Sequence, residues 1–185
     1  MAKLAIFIDG ACEPRNPGGV PTYGFVIYSD GRRIAEGSGL AADPWSVQAS
    51  NNVAEYTALI RALERLQTLG LEGSEVEVRS DSRLLVQQFK GDFKVRAARL
   101  KPLHDKVEEL RQHFNVQMKW IPREENAEAD ALTRQAYALY MQANPQTAEG
   151  VTPHVPHNGT MFCFHCGAQI PRQSRFCKEC GTKLV

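Results

Sequence analysis

The chain has 185 residues, with 22 basic and 21 acidic side chains, so its formal net charge is only +1. This balance excludes a protein that attracts nucleic acid through its overall field, and any such binding has to come from local patches. Hydrophobic residues make up 43% of the chain, which is enough for a globular core. Because no stretch is typical of a signal peptide or a membrane span, we expect a cytoplasmic protein.

The N-terminal part predicts an antiparallel three-stranded meander. Alternating apolar residues favour a strand over residues 3–8 that ends at Asp9, and a loop rich in proline and glycine follows it. Two further strands, over residues 24–29 and 32–40, are separated by Asp30-Gly31. That dipeptide is typical of the tight turn in a hairpin.

Helices and two more strands follow in the chain. The predicted helices cover about residues 52–69, a short stretch after Asp81, residues 100–114 and residues 126–142, and the predicted strands cover residues 75–80 and 116–121. This order of elements predicts an α/β domain with a mixed sheet over residues 1–142. Residues 143–160 are rich in Pro, Gly and Thr without periodicity, which predicts a linker. Residues 161–185 are then predicted to form a compact tail.

Four carboxylates, each in its own short motif, are candidates for one shared site. They are Asp9 (IFIDGAC), Glu55 (SNNVAEY), Asp81 (VRSDSRL) and Asp130 (ENAEADAL). Taken singly, Glu55 and Asp130 are explained by helix N-termini, which favour negative charge, and Glu55 also completes a capping box with Asn52. Asp81 has a similar explanation, whereas Asp9 ends an apolar strand and has no cap to make.

Carboxylates gathered in one place repel one another, and divalent cations relieve that repulsion. A site with two cations is a common device for cutting phosphodiester bonds. The four acids therefore make the chain a candidate metal-dependent nuclease.

The strings IFIDGACEPRNPGG, SNNVAEY, SDSRLLV and WIPREENAEADALTR together resemble type 1 ribonuclease H, in that family's order, over residues 3–140. The resemblance implies a ribonuclease H-like fold, a five-stranded mixed sheet flanked by helices. It implies that Asp9, Glu55, Asp81 and Asp130 are catalytic and hold two Mg²⁺ (or Mn²⁺) ions. The implied reaction hydrolyses the RNA strand of an RNA/DNA hybrid and leaves 5′-phosphate and 3′-hydroxyl ends.

The resemblance also assigns substrate contacts. Asn16, Asn51 and Asn52 match the family's minor-groove contacts, and an amide that both donates and accepts suits a 2′-hydroxyl. Alternatively, Asn16 is a turn residue and Asn52 a helix cap. Arg123 stands where better-studied members carry a histidine; it suits a phosphate contact but cannot shuttle protons near neutral pH.

A long basic, tryptophan-rich handle that grips the hybrid in some members of the family is absent. Only a short basic stretch, Lys90–Lys101, stands in that part of the chain. This departure predicts weaker binding of the hybrid unless another element compensates.

Two other functions are compatible with the same fold. A protein that binds hybrids or R-loops without cutting them would be expected to lack at least one of the four acids, and all four are present. A nuclease acting on DNA with the same metal site, like transposases and exonucleases, is disfavoured by the asparagines, because DNA offers no 2′-hydroxyl.

Two Cys-x-x-Cys pairs, each followed by glycine, dominate the tail. They are Cys163 with Cys166 and Cys177 with Cys180. Four thiolates suit a tetrahedral Zn²⁺, and without an export signal cysteines favour metal binding over disulfides. The rival interpretation, a redox Cys-x-x-Cys, lacks its usual α/β context. The pattern resembles a zinc ribbon, and so small a module needs its metal to fold.

The tail also offers a second candidate surface for nucleic acid. Its four basic residues and its phenylalanines, Phe162, Phe164 and Phe176, either form such a surface or, for at least two of the rings, the core of the module. We expect the tail to compensate for the missing handle.

Overall fold

The structure is a computed structural model that describes residues 3–145, 160–162, 169–171 and 173–177. Its strands are β1 (Lys3–Glu13), β2 (Val20–Ser29), β3 (Arg32–Leu40), β4 (Glu75–Ser80), β5 (Asn115–Trp120), β6 (Thr160–Phe162) and β7 (Gln169–Pro171). Its α-helices are α1 (Asn51–Thr68), α2 (Arg83–Lys90), α3 (Lys101–Arg111) and α4 (Ala127–Ala143). No helix among these described residues combines the length and the apolar character that a membrane span requires.

Strands β1 to β5 form one mixed sheet in the order β3-β2-β1-β4-β5, which confirms the predicted five-stranded architecture. The first three strands are antiparallel neighbours, as the meander predicted, whereas β4 runs parallel to both β1 and β5. In this register Phe7 pairs with Arg79, and Asp9 and Asp81 each lie two residues further along. The central parallel pair therefore brings these two acids to the same end of the sheet.

The core lies between β1 and α1. Leu4, Ile6 and Ile8 alternate along β1 and are fully buried, and they belong to one apolar cluster with Leu59 and Leu63 of α1. This arrangement follows from the two periodicities, since every second residue of a strand and every third or fourth residue of a helix share a face. Helix α4 contacts β1, β2 and β3.

The first hairpin is longer than the sequence predicted. Strand β1 does not end at Asp9 but continues to Glu13, because its last residues pair with the start of β2, up to Glu13 opposite Val20. Asp9 therefore lies inside a strand, opposite Gly24 of β2 and two residues beyond the last β1 residue that pairs with β4. The predicted turn at Asp30-Gly31 is confirmed, and both residues have positive φ, at 48° and 78°, as a primed hairpin turn requires.

The start of α1 corrects the capping prediction. Ser50, not Asn52, is the N-cap, and its hydroxyl accepts a hydrogen bond from the Val53 N–H at 3.3 Å. Asn52 is already the second helical residue, and Glu55 lies beyond the first turn. The capping box proposed for Glu55 is therefore wrong, and Glu55 loses its structural explanation.

The tail is described only in part. Strands β6 and β7 pair antiparallel, with Met161 opposite Ile170. Cys177 is buried, and Phe176 is 59% exposed, so this phenylalanine does not belong to a core of the described residues. The other three cysteines of the predicted zinc site, Cys163, Cys166 and Cys180, lie outside the described residues, as do Phe164 and most of the predicted linker.

Candidate active site

Three of the four predicted acids meet in space. One carboxylate oxygen from each of Asp9, Glu55 and Asp81 lies within 4.8 Å of the other two. Asp9 and Glu55 are buried, and Asp81 is half-buried. Since β1, α1 and the end of β4 each contribute one acid, the fold alone brings them together.

A glycine allows this convergence. A β-carbon added at Gly10 would lie 2.2 Å from the Glu55 nitrogen and 2.4 Å from the Ala54 carbonyl carbon. Both distances are far inside van der Waals contact and both involve backbone, so nothing flexible can move aside. The absence of a side chain at Gly10 therefore lets α1 approach β1 closely enough to place Glu55 beside Asp9.

The site disfavours negative charge on its own acids. Burial is the main reason that the pKa of Asp9 rises to about 6, and the nearby charges of Asp81 and Asp130 add to the rise. Burial, and then Asp9 and Asp81, also raise the pKa of Glu55 well above its usual range, against the hydrogen bonds from the Gly10 N–H and the Ser80 hydroxyl. The free energy of these carboxylates would fall if a cation neutralised them.

The donor set fits a divalent metal ion. Hard oxygen ligands are what Mg²⁺ and Mn²⁺ prefer. Glu55 Oε2 is buried and has no hydrogen-bond partner among the residues that the structure describes. An unsatisfied, buried carboxylate oxygen is costly, and coordination of a cation would satisfy it. Asp9, Glu55 and Asp81 are therefore the residues that would hold such an ion.

The fourth predicted acid, Asp130, is placed differently. It lies in the first turn of α4, near enough to raise the pKa of Asp9, but it is not one of the three acids whose oxygens gather. Its Oδ1 accepts from Arg123 Nη2 at 2.8 Å, and its Oδ2 from Arg134 Nη2 at 2.5 Å. Two guanidinium groups thus neutralise Asp130, whereas no lysine or arginine of the described residues lies within 4 Å of a carboxylate oxygen of the other three acids.

Helix α4 also provides two donors that the sequence analysis missed. The Thr133 hydroxyl donates to Asp9 Oδ2 at 2.6 Å, and Asn126 Nδ2 donates to Asp81 Oδ1 at 3.1 Å and to the Ile8 carbonyl at 2.8 Å. Asn126 occupies the N-cap position of α4 without making a cap hydrogen bond, because its side chain is turned to the site. The one local signal for Thr133 was its position one helical turn after Asp130.

A glycine again makes this contact possible. A β-carbon at Gly24, which pairs with Asp9, would lie 2.6 Å from the Ala129 carbonyl oxygen. Because Gly24 has none, α4 packs directly on β2, and Thr133 comes within hydrogen-bond distance of Asp9.

Two of the three predicted substrate-reading asparagines are hydrogen-bonded to each other, and two of them line the cleft that holds the acids. The Asn51 N–H donates to Asn16 Oδ1 at 2.9 Å, and Asn51 Oδ1 accepts from the Cys12 N–H at 2.7 Å. Asn51 and Asn52 line a cleft of about 450 Å³ that also contains Asp9, Glu55 and Asp81. Burial raises the pKa of the Cys12 thiol to about 11, so this thiol stays protonated and is a poor nucleophile near neutral pH.

The lining of this cleft also includes basic and aromatic side chains. Arg123, the predicted phosphate contact, lines it, together with Arg83 and Trp120, which the sequence analysis had not singled out. The hydrogen bond to Asp130, and then the negative charge of Asp130, raise the pKa of Arg123 further, so it stays charged. The structure therefore places Arg123 in the cleft, with its charge already engaged by one of the predicted acids.

Comparisons with known proteins agree with this geometry. Residues 22–136 match the model of the family described as reverse transcriptase-like. A bifunctional protein of Mycobacterium tuberculosis is 34% identical over 149 residues, which are 79% of this chain but only 37% of that relative's length.

This chain aligns with almost the whole length of two solved structures. The ribonuclease H1 of the archaeon Halobacterium salinarum is 33% identical with a TM-score of 0.65, over 74% of this chain and 98% of that one. LC11 ribonuclease H1, solved in complex with an RNA/DNA hybrid, is 38% identical with a TM-score of 0.67, over 75% of this chain and 99% of that one. The chain therefore belongs to the reverse transcriptase-like family, and the domain that carries its acidic cleft is a ribonuclease H-like domain with strong similarity to type 1 ribonuclease H.

Proposed function

We propose that this chain is an endoribonuclease that hydrolyses the RNA strand of RNA/DNA hybrids. The observation that carries the proposal is the group of three acids, Asp9, Glu55 and Asp81, held within 4.8 Å of one another in an open cleft. A buried group with raised pKa values in a cleft is typical of a catalytic site. The similarity to a ribonuclease H1 solved with a hybrid supports this choice of substrate.

Two bound Mg²⁺ ions would supply an activated water and stabilise the leaving 3′ oxygen, which leaves 5′-phosphate and 3′-hydroxyl ends. The chain's own contribution is to orient the carboxylates that would bind the ions: Thr133 orients Asp9, and Asn126 orients Asp81. Asp130 completes the family's set of four acids, and we propose that it serves the second ion. To do so it has to exchange a guanidinium partner, which is inexpensive because both arginines are about 70% exposed.

The asparagines support RNA as the strand that is cut. Since the oxygen of the Asn51 amide accepts from Cys12, its nitrogen is the group that can donate to a 2′-hydroxyl. Asn52, which is not needed as a helix cap, lines the same cleft. Asn16 is hydrogen-bonded to the Asn51 backbone, which supports the proposal that the three asparagines contact the minor groove together. A protein that binds hybrids without cutting them is not favoured, because the relatives are nucleases.

The test is cleavage of a hybrid whose RNA strand is labelled, beside single-stranded RNA, duplex RNA and duplex DNA, with Mg²⁺ and with EDTA. We expect Mg²⁺-dependent cuts in the hybrid alone, with 5′-phosphate ends. Asp81→Asn should bind the hybrid and not cut it. Asp92→Asn, which removes an exposed carboxylate outside the cleft, is the matched control and should cut normally. Undiminished cutting by Asp81→Asn, or cutting of the hybrid in EDTA, would overturn the proposal.

For the tail we propose a separate module, residues 161–185, joined by a linker over residues 143–160 to the domain over residues 1–142. Its four cysteines would hold one structural Zn²⁺, and the burial of Cys177 suits a metal ligand. Elemental analysis of the purified full-length chain should find one zinc per chain, and Cys177→Ser should lose it. A chain without zinc whose tail resists proteolysis as well as the zinc-loaded chain would contradict this assignment.

A further inference from the structure

The active-site cleft contains two arginines whose charges are used differently. Arg123 is paired with Asp130 at 2.8 Å. Arg83 is exposed, and none of its nitrogens lies within 4 Å of a carboxylate oxygen in the described part of the chain. This is unexpected in a cleft that also contains Asp9, Glu55 and Asp81. The charge of Arg83 is therefore available to an incoming anion.

An indole ring holds Arg83 in this state. The guanidinium carbon of Arg83 lies 4.6 Å from the centre of the Trp120 ring. The Trp120 Nε1–H donates to the Asp81 carbonyl oxygen at 3.1 Å, so the ring is fixed to the backbone of a metal-site acid. A guanidinium that stacks on an aromatic face keeps the donors along its edge open for bidentate binding of an oxyanion. The stack thus keeps a planar cation beside the acids and orients it.

We propose that Arg83, stacked on Trp120, binds a backbone phosphate of the nucleic acid next to the phosphate that is cut. Arginine is the side chain best suited to two parallel hydrogen bonds with phosphate oxygens. The stack lies beside the carboxylates, so the scissile phosphate at the acids and a neighbouring phosphate at Arg83 can be held together. The Arg83 site supplies part of the grip that the missing basic handle gives other members of the family. This inference rests on the proposed function.

The first test measures binding rather than cleavage. Full-length variants are titrated with a fluorescent RNA/DNA hybrid in EDTA over a series of NaCl concentrations. Arg83→Gln should weaken binding about tenfold, as expected for the loss of a charge-assisted contact, and should reduce the slope of log K against log [NaCl] by about one. Arg32→Gln removes the same charge from the hairpin end of β3, away from the cleft, and should leave the slope unchanged.

Two further variants separate the charge from the stack. Arg83→Lys retains the charge but not the planar guanidinium with its paired donors. The slope of log K against log [NaCl] should therefore stay the same, while the affinity for the hybrid falls. Trp120→Phe retains a ring but loses the hydrogen bond to Asp81 and should behave in the same way. If Arg83→Gln matches the unsubstituted chain in affinity and slope, the Arg83 site does not exist.

The position of the contact is tested with hybrids that carry one neutral methylphosphonate linkage, moved stepwise along each strand. The unsubstituted chain should lose affinity at a linkage next to the cleavage site, and Arg83→Gln should show no extra loss there. Losses that are equal in both proteins at every linkage would overturn the inference. Because cleavage by the unsubstituted chain is scored separately, this failure is distinguishable from failure of the proposed function, which would show as no hybrid binding or cutting at all.

Discussion

Replacing Asp9 by Asn should stabilise the metal-free protein while abolishing its activity. Burial raises the pKa of Asp9 from 3.8 to about 6 in the folded chain, mainly because the charged form loses its hydration. A shift of about two pKa units corresponds to roughly 3 kcal/mol of folding free energy at neutral pH. Asparagine has no charge to bury, and its oxygen can still accept from the Thr133 hydroxyl. Asp9→Asn should therefore gain up to about 3 kcal/mol.

The sign of this effect depends on pH. The folded pKa lies above the unfolded one, so the Asp9 contribution to stability is fully present below pH 3.8 and is lost as the pH rises through about 6. Urea unfolding in EDTA should therefore show no difference between Asp9→Asn and the unsubstituted chain near pH 3.5, and the full difference near pH 7.5.

A control and a metal titration complete this experiment. Asp92→Asn, which removes an exposed carboxylate, should show no such pH-dependent gain. Adding Mg²⁺ at pH 7.5 should stabilise the unsubstituted chain more than Asp9→Asn. This prediction is wrong if Asp9→Asn is no more stable than the unsubstituted chain at pH 7.5, or if its gain in stability is the same at both pH values. Burial of the Asp9 charge would then not be what lowers the stability of the metal-free protein.

Two further substitutions test how the fold builds the site. Gly10→Ala should lose about 3 kcal/mol or more in urea unfolding, because its β-carbon would meet the backbone of Glu55 at 2.2 Å; unchanged stability would show that α1 can move away without cost. Thr133→Val should raise the pKa of Asp9 further and move the acid limb of the cleavage-pH profile to higher pH, whereas Thr133→Ser should not, since its hydroxyl can still donate to Asp9. Superimposed profiles for Thr133→Val and the unsubstituted chain would contradict this role.

Much of the sheet was predictable from local patterns. Alternating apolar residues identified the strands, and Asp30-Gly31 identified the hairpin turn. The far half of the first hairpin was not predictable, because residues 10–13 have no apolar alternation and become a strand only through pairing with the start of β2. The cap of α1 was misplaced for a similar reason. Ser50 and Asn52 both suit an N-cap, and the contact that ties Asn51 to Asn16 bridges 35 residues.

The candidate site also has parts that were predictable from the sequence and parts that were not. The resemblance in sequence was enough to name the acids, and the structure brings Asp9, Glu55 and Asp81 together. The pairing of Asp130 with Arg134 follows from helical spacing and was open to prediction. The contacts of Asn126 and Thr133 were not, because they reach 45 and 124 residues back along the chain. Hydrogen bonds over such distances leave no local pattern.

The contact between Thr133 and Asp9 also determines when the site becomes complete during synthesis. The two residues are 124 positions apart, and the amide of Asn126, which orients Asp81, is made almost as late as Thr133. A nascent chain that has emerged only as far as α3 already carries Asp9, Glu55 and Asp81, but neither donor that orients them. Premature termination there would yield a polypeptide with most of the acids and an unfinished cleft. The proposed cutting of RNA therefore requires that nearly the whole domain has left the ribosome.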